Sequence, residues 1–363
     1  MNRNFGLDLL RAISIWLVLL QHGGFNITGL APLKIGGIGV EIFFVLSGFL
    51  IGGILLRDLE KKLNLKETLI RFWTRRWFRI LPLYFLVLIF KFIFIDHSIG
   101  YNIIYYFLFL QNNFYGIQYF DVSWSLVIEE WFYLFIPIFL ILANKIFRTN
   151  RGMIASFILF ILFINLIRYI YVLHGNVPYQ GVNGNFPFRF DSLFVGVILA
   201  YFNHKNLQIF NQMKSKLVLF TGLILFIGYL YFYWTKAYPV NLINQNIFIR
   251  TIGFFILPFT IGIIIPYISS ITINYENSIL KKTVFKFITT TSIFTYAIYL
   301  THPFIYSLIL KNDKINNPIV EWIIAIGLLY LVSWFIYQYF EKPILTYRDK
   351  ITQNINKLET PSK

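Results

Sequence analysis

Apolar stretches of about twenty residues follow one another along most of this 363-residue sequence. One of them, 36–56, reads GGIGVEIFFVLSGFLIGGILL and contains a single ionisable residue, Glu41. About 20 apolar residues suffice for an α-helix to cross a bilayer. Charged residues make up 13% of the chain, about half of the ~25% that is usual in soluble proteins. The sequence therefore predicts an all-α, polytopic transmembrane helical bundle.

We predict about ten spans. The stretch 102–110 (NIIYYFLFL) is apolar but too short to cross, so we interpret it as a half-helix or interfacial segment. A span at 102–118 would instead make eleven. The ten predicted spans cover residues 5–22, 36–56, 80–95, 125–143, 152–173, 189–203, 216–235, 247–266, 285–307 and 319–340.

The distribution of Lys and Arg predicts the orientation. With the N-terminus in the cytoplasm, the predicted cytoplasmic segments contain 23 of the 32 basic residues, and the exterior loops contain five. Basic residues accumulate in cytoplasmic loops, so both termini are expected in the cytoplasm. An eleventh span would reverse the predicted membrane orientation of every segment that follows it. The net charge of +16 has the same origin, and no nucleic-acid partner is expected.

The first apolar segment predicts a retained helix rather than a cleaved signal peptide. Asp8 and Arg11 lie inside it, and no small-residue cleavage site follows. The chain has no cysteine, which excludes disulfides and thiolate metal sites. Without a visible repeat or linker, we predict one membrane domain over 1–345 and a cytoplasmic C-terminal tail over 346–363.

Ionisable residues inside the predicted spans mark candidate functional sites, because charge in hydrocarbon is costly. In the first helix, Asp8, Arg11 and His22 lie on one face. Arg11 and His22 are about 16 Å apart at ~1.5 Å per residue. We expect carboxylates to lie in the same exterior layer as His22, since the helices that carry them enter from outside. That layer comprises Glu41, Glu129, Glu130 and, in YLTHP, His302.

Two interpretations of this layer are open. A histidine beside a carboxylate titrates near neutrality and suits acid–base catalysis. Alternatively, the charges hold the bundle together or reach the headgroups, which we favour for Lys91 and Arg250. The glycine runs 36–37, 39, 48 and 52–53 suit close helix packing, or they leave room for a narrow ligand. The candidate counter-ions are Lys91, Arg168, Arg189 and Arg250.

A basic cluster, RFWTRRWFRILP, precedes the predicted third span. Arg75 and Arg79 are four residues apart, so a helix would present them side by side. Arginine binds phosphate through two parallel hydrogen bonds, but clusters at this position also anchor lipid headgroups. Spacing alone does not decide between these roles.

Several motifs, in order, resemble those of acyltransferase family 3, a family of bacterial membrane O-acyltransferases. The resemblance extends over nearly the whole chain. The motifs are LDLLRAISIWLVLLQH with Arg11 and His22, GGIGVEIFFVLSGFLI with Glu41, RRWFRILPLY with Arg75, Arg76 and Arg79, WSLVIEEWFYLFIP with Glu129 and Glu130, and then RFDSLFVG, SIFTYAIYLTHPF and FEKP.

Departures from the family pattern are small. Leu9 replaces a usual glycine and Trp131 a usual glutamine, and neither is a predicted catalytic group. Many relatives carry an additional hydrolase-like domain, whereas this sequence resembles the stand-alone members.

The resemblance implies a multi-pass enzyme of the bacterial cytoplasmic (inner) membrane. The implied donor is a cytoplasmic acyl-CoA, with acetyl-CoA expected, and the implied acceptor is a hydroxyl of an exported glycan or lipid-linked sugar. No metal ion is expected. The donor phosphates are expected at Arg11, Arg75, Arg76 and Arg79, with the pantetheine arm rising along the glycine-lined seam of the first helix.

At the far end of that arm, His22 is expected to act as general base or as a transient acyl carrier. Glu41 or the Glu129–Glu130 pair would orient its imidazole. The remaining predicted substrate contacts are Trp124, Ser125, Arg189 and His302.

Two other functional classes fit parts of the pattern. A proton-coupled secondary transporter could use the His/Glu layer, although the sequence shows neither the repeats nor the paired broken helices of such proteins. If the protein were a non-catalytic scaffold or a flippase accessory, the ordered His, Glu and Arg motifs would have arisen by chance. The loop HGNVPYQGVNGNFP, with Tyr179, Asn183 and Asn185, is either a carbohydrate contact or a plain connector.

Overall fold

The computed structural model describes residues 3–23, 35–60, 65–175, 177–236, 240–273, 278–310 and 317–357. All regular secondary structure in these ranges is helical, and a helix lies over each of the ten predicted spans. The long helices are α1 (Phe5–Gly23), α2 (Ile35–Glu60), α3 (Leu65–Phe94), α4 (Trp124–Ile146), α5 (Asn150–Gly175), α6 (Phe190–Lys205), α7 (Lys216–Lys236), α8 (Gly253–Ser269), α9 (Ile279–Ile309), α10 (Pro318–Ile336) and α11 (Lys342–Lys357).

Among the described residues, seven helical stretches are long and apolar enough to cross a membrane, namely α1 to α5, α7 and the stretch Pro318–Thr352, which runs from α10 into α11. Of the other predicted spans, α6 has 16 residues and α8 has 17. Helix α9 has 31 residues but includes the polar run 289–292 (TTTS). The chain therefore has the helices of a multi-pass membrane protein. A count of ten spans and the cytoplasmic location of the termini stay predictions.

The apolar stretch at 102–110 does not form a spanning helix. A single 3₁₀ turn leads into a helix of five residues, Ile103–Phe107, and Gln111–Phe114 adds another short turn. Both are far shorter than the ~20 residues that a span requires. This agrees with the interpretation of the stretch as a half-helix or interfacial segment.

Side-chain caps fix where two of the long helices begin. The Asn317 side chain accepts hydrogen bonds from the backbone N–H groups of Ile319 and Val320 at the start of α10, with Pro318 as the first helical residue. Ser278 caps α9 in the same way. Such caps satisfy N–H groups that have no partner within the helix.

Helix α3 begins well before residue 80, where the predicted third span starts. Arginine is a good helix former, so the basic cluster continues the helix instead of forming a loop. Arg75, Arg76 and Arg79 consequently lie in the middle of a 30-residue helix. The expectation that they immediately precede this helix was wrong.

Helix α2 lies at the centre of the bundle, between α1 and α6. A Cβ atom on Gly48 would lie 1.8 Å from the carbonyl oxygen of Leu193 in α6, and one on Gly39 would lie 2.4 Å from that of Ser14 in α1. Backbones approach this closely only where one side has no side chain. These glycines therefore serve helix packing.

The C-terminal end of the chain packs back on the bundle. A π-helical turn, Tyr337–Glu341, joins α10 to α11, and α11 lies against α3. The rings of Phe78 and Tyr347 have centroids 6.1 Å apart. Residue 345, the predicted boundary, lies inside α11, and the division into a domain and a tail stays a prediction.

Candidate active site

Three cavities lie at successive levels of α2. The first has a volume of about 430 Å³ and contains Arg11, and we call it the Arg11 cavity. The second, the Glu129 cavity, has about 140 Å³, and the third, the Glu41 cavity, about 270 Å³. On α2, Leu50 lines the first two, Ser47 the second and Glu41 the third. The order of the cavities therefore follows the order of residues along one helix.

The Arg11 cavity lies at the end of the bundle where α1 begins. Buried Asp8 holds two guanidinium groups there, with Oδ1 2.8 Å from Arg3 Nη2 and 3.3 Å from Arg11 Nη1. Ser292 Oγ donates to the same oxygen at 2.7 Å. Glu341, on the π-helical turn, also lines this cavity. The result is a polar chamber with several oriented hydrogen-bond donors.

Arg11 and Arg79 line both the Arg11 cavity and the Glu129 cavity. The two cavities are therefore adjacent, with these guanidinium groups on the wall that they share, and we call the two together the passage. Arg76 extends the basic lining into the Glu129 cavity, where its guanidinium carbon lies 5.5 Å from the Tyr133 ring centroid. Arg75 lines neither cavity. Arg75 lies one turn nearer the start of α3 than Arg79, and the charge of Asp58 acts on its guanidinium group there.

Glu129 and Glu130 face different surroundings. Glu129 lines the Glu129 cavity and accepts a hydrogen bond of 2.7 Å from the Tyr133 hydroxyl, which lies 2.6 Å from Ser47 Oγ. Glu130 is buried outside the cavity. Successive helical residues point about 100° apart, so adjacent carboxylates do not face one site. Both lie at the level of Arg76 rather than beside His22, which corrects their predicted placement.

The passage ends at Ser125 and Tyr299. Their hydroxyl oxygens are 2.8 Å apart, and Tyr299 also donates to the carbonyl oxygen of Val122 at 2.8 Å. Both residues line the Glu129 cavity. None of the glycines that the structure describes lines the passage, so the expected glycine-lined route was wrong. Besides the charged groups described above, the walls consist of aliphatic, aromatic and hydroxyl side chains and Asn4.

His22 lies beyond this end and contacts another histidine. Its Nδ1 is 2.8 Å from Nε2 of His302, which is fully buried, while His22 itself is exposed. A carboxylate was expected beside His22, but among the described residues no carboxylate takes part in this histidine contact. Asp121, in the 3₁₀ turn just before α4, is the acidic residue whose charge acts on His22. Neither histidine lines the passage. Tyr299 lies at the end of the passage and its ring contacts that of His302, which in turn contacts His22.

Glu41 pairs with Arg189 in the interior. Both side chains are buried, and Arg189 also donates to Asn183 Oδ1 at 2.7 Å. The Phe254 ring lies over the Arg189 guanidinium, 4.4 Å from its carbon to the ring centroid. Arg189 is thus a true counter-ion of a predicted carboxylate. It lies behind Glu41 and does not line the cavity.

The other three predicted counter-ions have different partners. Arg168 forms a fully buried ion pair with Asp191, and Arg250 donates to the carbonyl oxygen of Val177 at 2.8 Å. Lys91 lies 4.7 Å from the ring centroid of Tyr119. Outside the spans, burial raises the pKa of Tyr119 to about 12, so the phenol under Lys91 stays neutral. These contacts stabilise the bundle.

The rings of Phe44 and Trp124 separate the passage from the Glu41 cavity. Phe44 lines the Glu129 cavity and Trp124 lines the Glu41 cavity, and the two rings meet edge to face with centroids 6.0 Å apart. Ser125 follows Trp124 in α4 but faces the passage. Of these two predicted substrate residues, Trp124 therefore belongs to the aromatic layer and Ser125 lies on its passage side.

Comparison with known proteins gives the family. The model of the acyltransferase domain that defines acyltransferase family 3 matches residues 4–338. The chain belongs to acyltransferase family 3. The match includes the motif residues from Arg11 to Glu130 and His302, whereas the FEKP motif at 340–343 lies just beyond it.

Two family relatives match along most of the chain. YrhL of Bacillus subtilis is 28% identical over 367 residues, which cover 94% of this chain and 55% of that protein. The peptidoglycan O-acetyltransferase OatA of Listeria monocytogenes is 28% identical over 366 residues, covering 93% of this chain and 55% of OatA. The chain thus spans about half the length of these relatives.

An uncharacterized protein of Haemophilus influenzae is 34% identical over 215 residues, covering 52% of this chain and 84% of that protein. No solved structure matches the chain.

The sequence analysis did not identify several residues of the candidate site. Ser47 and Tyr133 hold Glu129, Ser292 holds Asp8, and Tyr299 closes the passage. Tyr133 stands four residues after Glu129, a spacing that places two side chains on one helix face. That signal was available in the sequence, whereas contacts between distant helices were not.

Proposed function

We propose that this chain is a membrane O-acetyltransferase. It transfers an acetyl group from cytoplasmic acetyl-CoA to a hydroxyl of an extracytoplasmic glycan or lipid-linked saccharide, in the bacterial cytoplasmic membrane. The observation that carries the proposal is the pair of adjacent cavities that share Arg11 and Arg79 and extend from the start of α1 to Ser125 and Tyr299. Membership of acyltransferase family 3 and the likeness to a peptidoglycan O-acetyltransferase support it.

The passage suits a donor with a charged head and a slender arm. Arg11, Arg76 and Arg79 supply guanidinium donors for phosphate groups, because charge-assisted hydrogen bonds of this kind are strong. The arm then lies along the Glu129 cavity, which is narrow and mainly apolar. Glu129, fixed by Tyr133, offers an acceptor for an amide N–H of that arm. The thioester arrives near Ser125 and Tyr299.

The histidine pair suits His22 to act as a base. His302 Nδ1 lies 3.2 Å from the carbonyl oxygen of Ile298, which can only accept, so Nδ1 carries the proton. Nε2 of His302 then accepts from Nδ1–H of His22. This tautomer leaves Nε2 of His22 unprotonated and free to take a proton. His302 acts through His22 and is a positioning residue.

In the proposed reaction, His22 Nε2 removes the proton of the acceptor hydroxyl as its oxygen attacks the thioester carbonyl carbon. A C–O bond forms, the C–S bond breaks, and the proton passes to the departing thiolate. The open passage stops one layer of side chains short of His22. Transfer therefore requires movement of the rings at that layer.

The test uses proteoliposomes that contain the full chain, acetyl-labelled acetyl-CoA and a cell-wall glycan acceptor. We expect label in the glycan and free CoA in equal amounts, with neither from His22→Ala. Uptake of glycan without acetylation would support the transporter alternative. Normal product from His22→Ala would remove His22 from the mechanism.

A further inference from the structure

The Glu41 cavity lies at the opposite end of the bundle from the Arg11 cavity. Gln21 at the end of α1, Gly37 at the start of α2, and Tyr233 and Trp234 near the end of α7 line it. This is the end that the charge distribution predicts to be exterior. Its volume of about 270 Å³ corresponds to roughly nine water molecules at ~30 Å³ each, which suits one sugar ring.

The walls of this cavity combine aromatic rings with amide groups. Tyr229 and Tyr233 stack along one side of α7, with centroids 6.4 Å apart. Opposite polar groups come from the loop before α6, where Gln180 and Asn183 line the cavity. Tyrosine and tryptophan offer an apolar ring face and a polar edge. The combination matches a pyranose, whose C–H faces are apolar and whose edge bears hydroxyl groups.

Glu41 supplies the most specific feature of the cavity. Its side chain is buried, one oxygen pairs with Arg189, and Oε2 has no hydrogen-bond partner among the residues that the structure describes. Buried polar atoms in native proteins are nearly always hydrogen-bonded, so this unpaired carboxylate oxygen, on a residue that lines the cavity, calls for a donor. A sugar hydroxyl is such a donor.

The charge of the cavity favours a neutral ligand. Within the described part of its lining, Glu41 is the one charged side chain, and Arg189 behind it compensates that charge. A phosphate or carboxylate placed here would meet the Glu41 carboxylate. A neutral hydroxyl-bearing ring meets a hydrogen-bond acceptor without a charge penalty.

We propose that the Glu41 cavity is the acceptor site and binds one neutral pyranose ring, with a ring hydroxyl donating to Glu41 Oε2. This assignment rests on the proposed function. The cavity is separated from the donor passage by the Phe44–Trp124 ring pair. Acceptor and donor therefore enter from opposite ends of the bundle and meet at this layer.

The test measures saturation transfer by NMR from the full chain in nanodiscs, which avoids sugar-based detergents, to N-acetyl-D-glucosamine. No acetyl donor is added. We expect transfer to the ring protons with the unaltered chain, and background signal with Tyr233→Ala. Tyr231→Ala is the matched control, since Tyr231 lies on the same helix but is 70% exposed and outside the cavity. Glu41→Gln, which keeps the size of the side chain, is expected to weaken transfer as well.

Absence of transfer to the unaltered chain, or equal transfer to Tyr233→Ala and Tyr231→Ala, would overturn the assignment. Acetylation provides the second readout. Tyr233→Ala is expected to raise the acceptor KM about three- to tenfold, the scale of one aromatic contact, with the KM for acetyl-CoA unchanged. If acetylation occurs and the acceptor KM does not move, the proposed function stands and this site fails. If sugar binds but no acetylation occurs, the sugar site stands and the proposed function fails.

Discussion

The ring of Trp124 meets the ring of Phe44 edge to face, 6.0 Å between centroids, and the two rings lie between the passage and the Glu41 cavity. In the proposed reaction, these rings would keep a thioester at Ser125 from water that enters from the other end. Enzymes that handle reactive acyl groups need such exclusion to prevent hydrolysis.

Replacing Trp124 with alanine should join the two cavities. We expect Trp124→Ala to hydrolyse acetyl-CoA without an acceptor, because water then reaches the thioester. The measurement is free CoA released per acetyl group transferred to glycan, which should rise well above one. Tyr231→Ala, at an exposed residue that lines neither cavity, serves as the control. A ratio that stays at one in Trp124→Ala would contradict the barrier.

The arginines of the basic cluster should differ in their effect on the donor. Arg79→Ala should raise the KM for acetyl-CoA about ten- to hundredfold, the equivalent of one charge-assisted hydrogen bond of ~1.5–3 kcal/mol. Arg75→Ala should change it little, because Arg75 lines neither cavity. Steady-state kinetics of both variants decide this. Equal effects would indicate a general electrostatic role of the cluster, such as lipid anchoring.

His302 should control the rate rather than binding. His302→Leu removes the acceptor for His22 Nδ1–H, so the wrong tautomer becomes available, and kcat should fall by ~10²–10⁴, the usual contribution of a general base. Both KM values should stay near normal. His302→Gln restores an acceptor and should recover part of the rate. A purely structural role would instead lower the amount of folded protein in both variants.

The pH dependence should follow the same histidine. A base must be unprotonated, so kcat/KM is expected to fall as the pH drops through the titration of His22. In His302→Gln the midpoint of this fall should shift, since the partner of Nδ1 has changed. A pH–rate profile of both proteins with one acceptor tests this. Identical midpoints would separate His302 from the catalytic proton.

The contact between α2 and α6 should be sensitive to one methyl group. A Cβ on Gly48 would lie 1.8 Å from the Leu193 carbonyl oxygen, so Gly48→Ala should lower the free energy of unfolding by ~1–3 kcal/mol. Gly228→Ala, with no atom within 4 Å of the new Cβ, should leave it unchanged or slightly higher. Thermal unfolding in one detergent compares the two. An equally stable Gly48→Ala would mean that the helices separate at no cost.

The apolar runs predicted the helices, and the motifs predicted the family. Of the twelve predicted site residues, seven line a cavity, namely Arg11, Glu41, Arg76, Arg79, Trp124, Ser125 and Glu129. The start of α3 was missed because a charged segment beside an apolar run resembles a connection between helices, although it continues α3. The adjacent pair Glu129 and Glu130 was expected to act together, yet the helical period alone sends the two side chains to different surroundings. His302 was expected in the same layer as His22, but the direct contact of the two rings was not predicted, since the residues are 280 positions apart.

Helix α2 carries wall residues of all three cavities, and its backbone touches α6 through Gly48. The helix geometry fixes the distance between Leu50 and Phe44, which line the passage, so this distance does not adapt to the donor. A thioester on a shorter or longer carrier would stop at the wrong level. The chain would thus measure its donor by length before any group at the far end tests the acyl moiety.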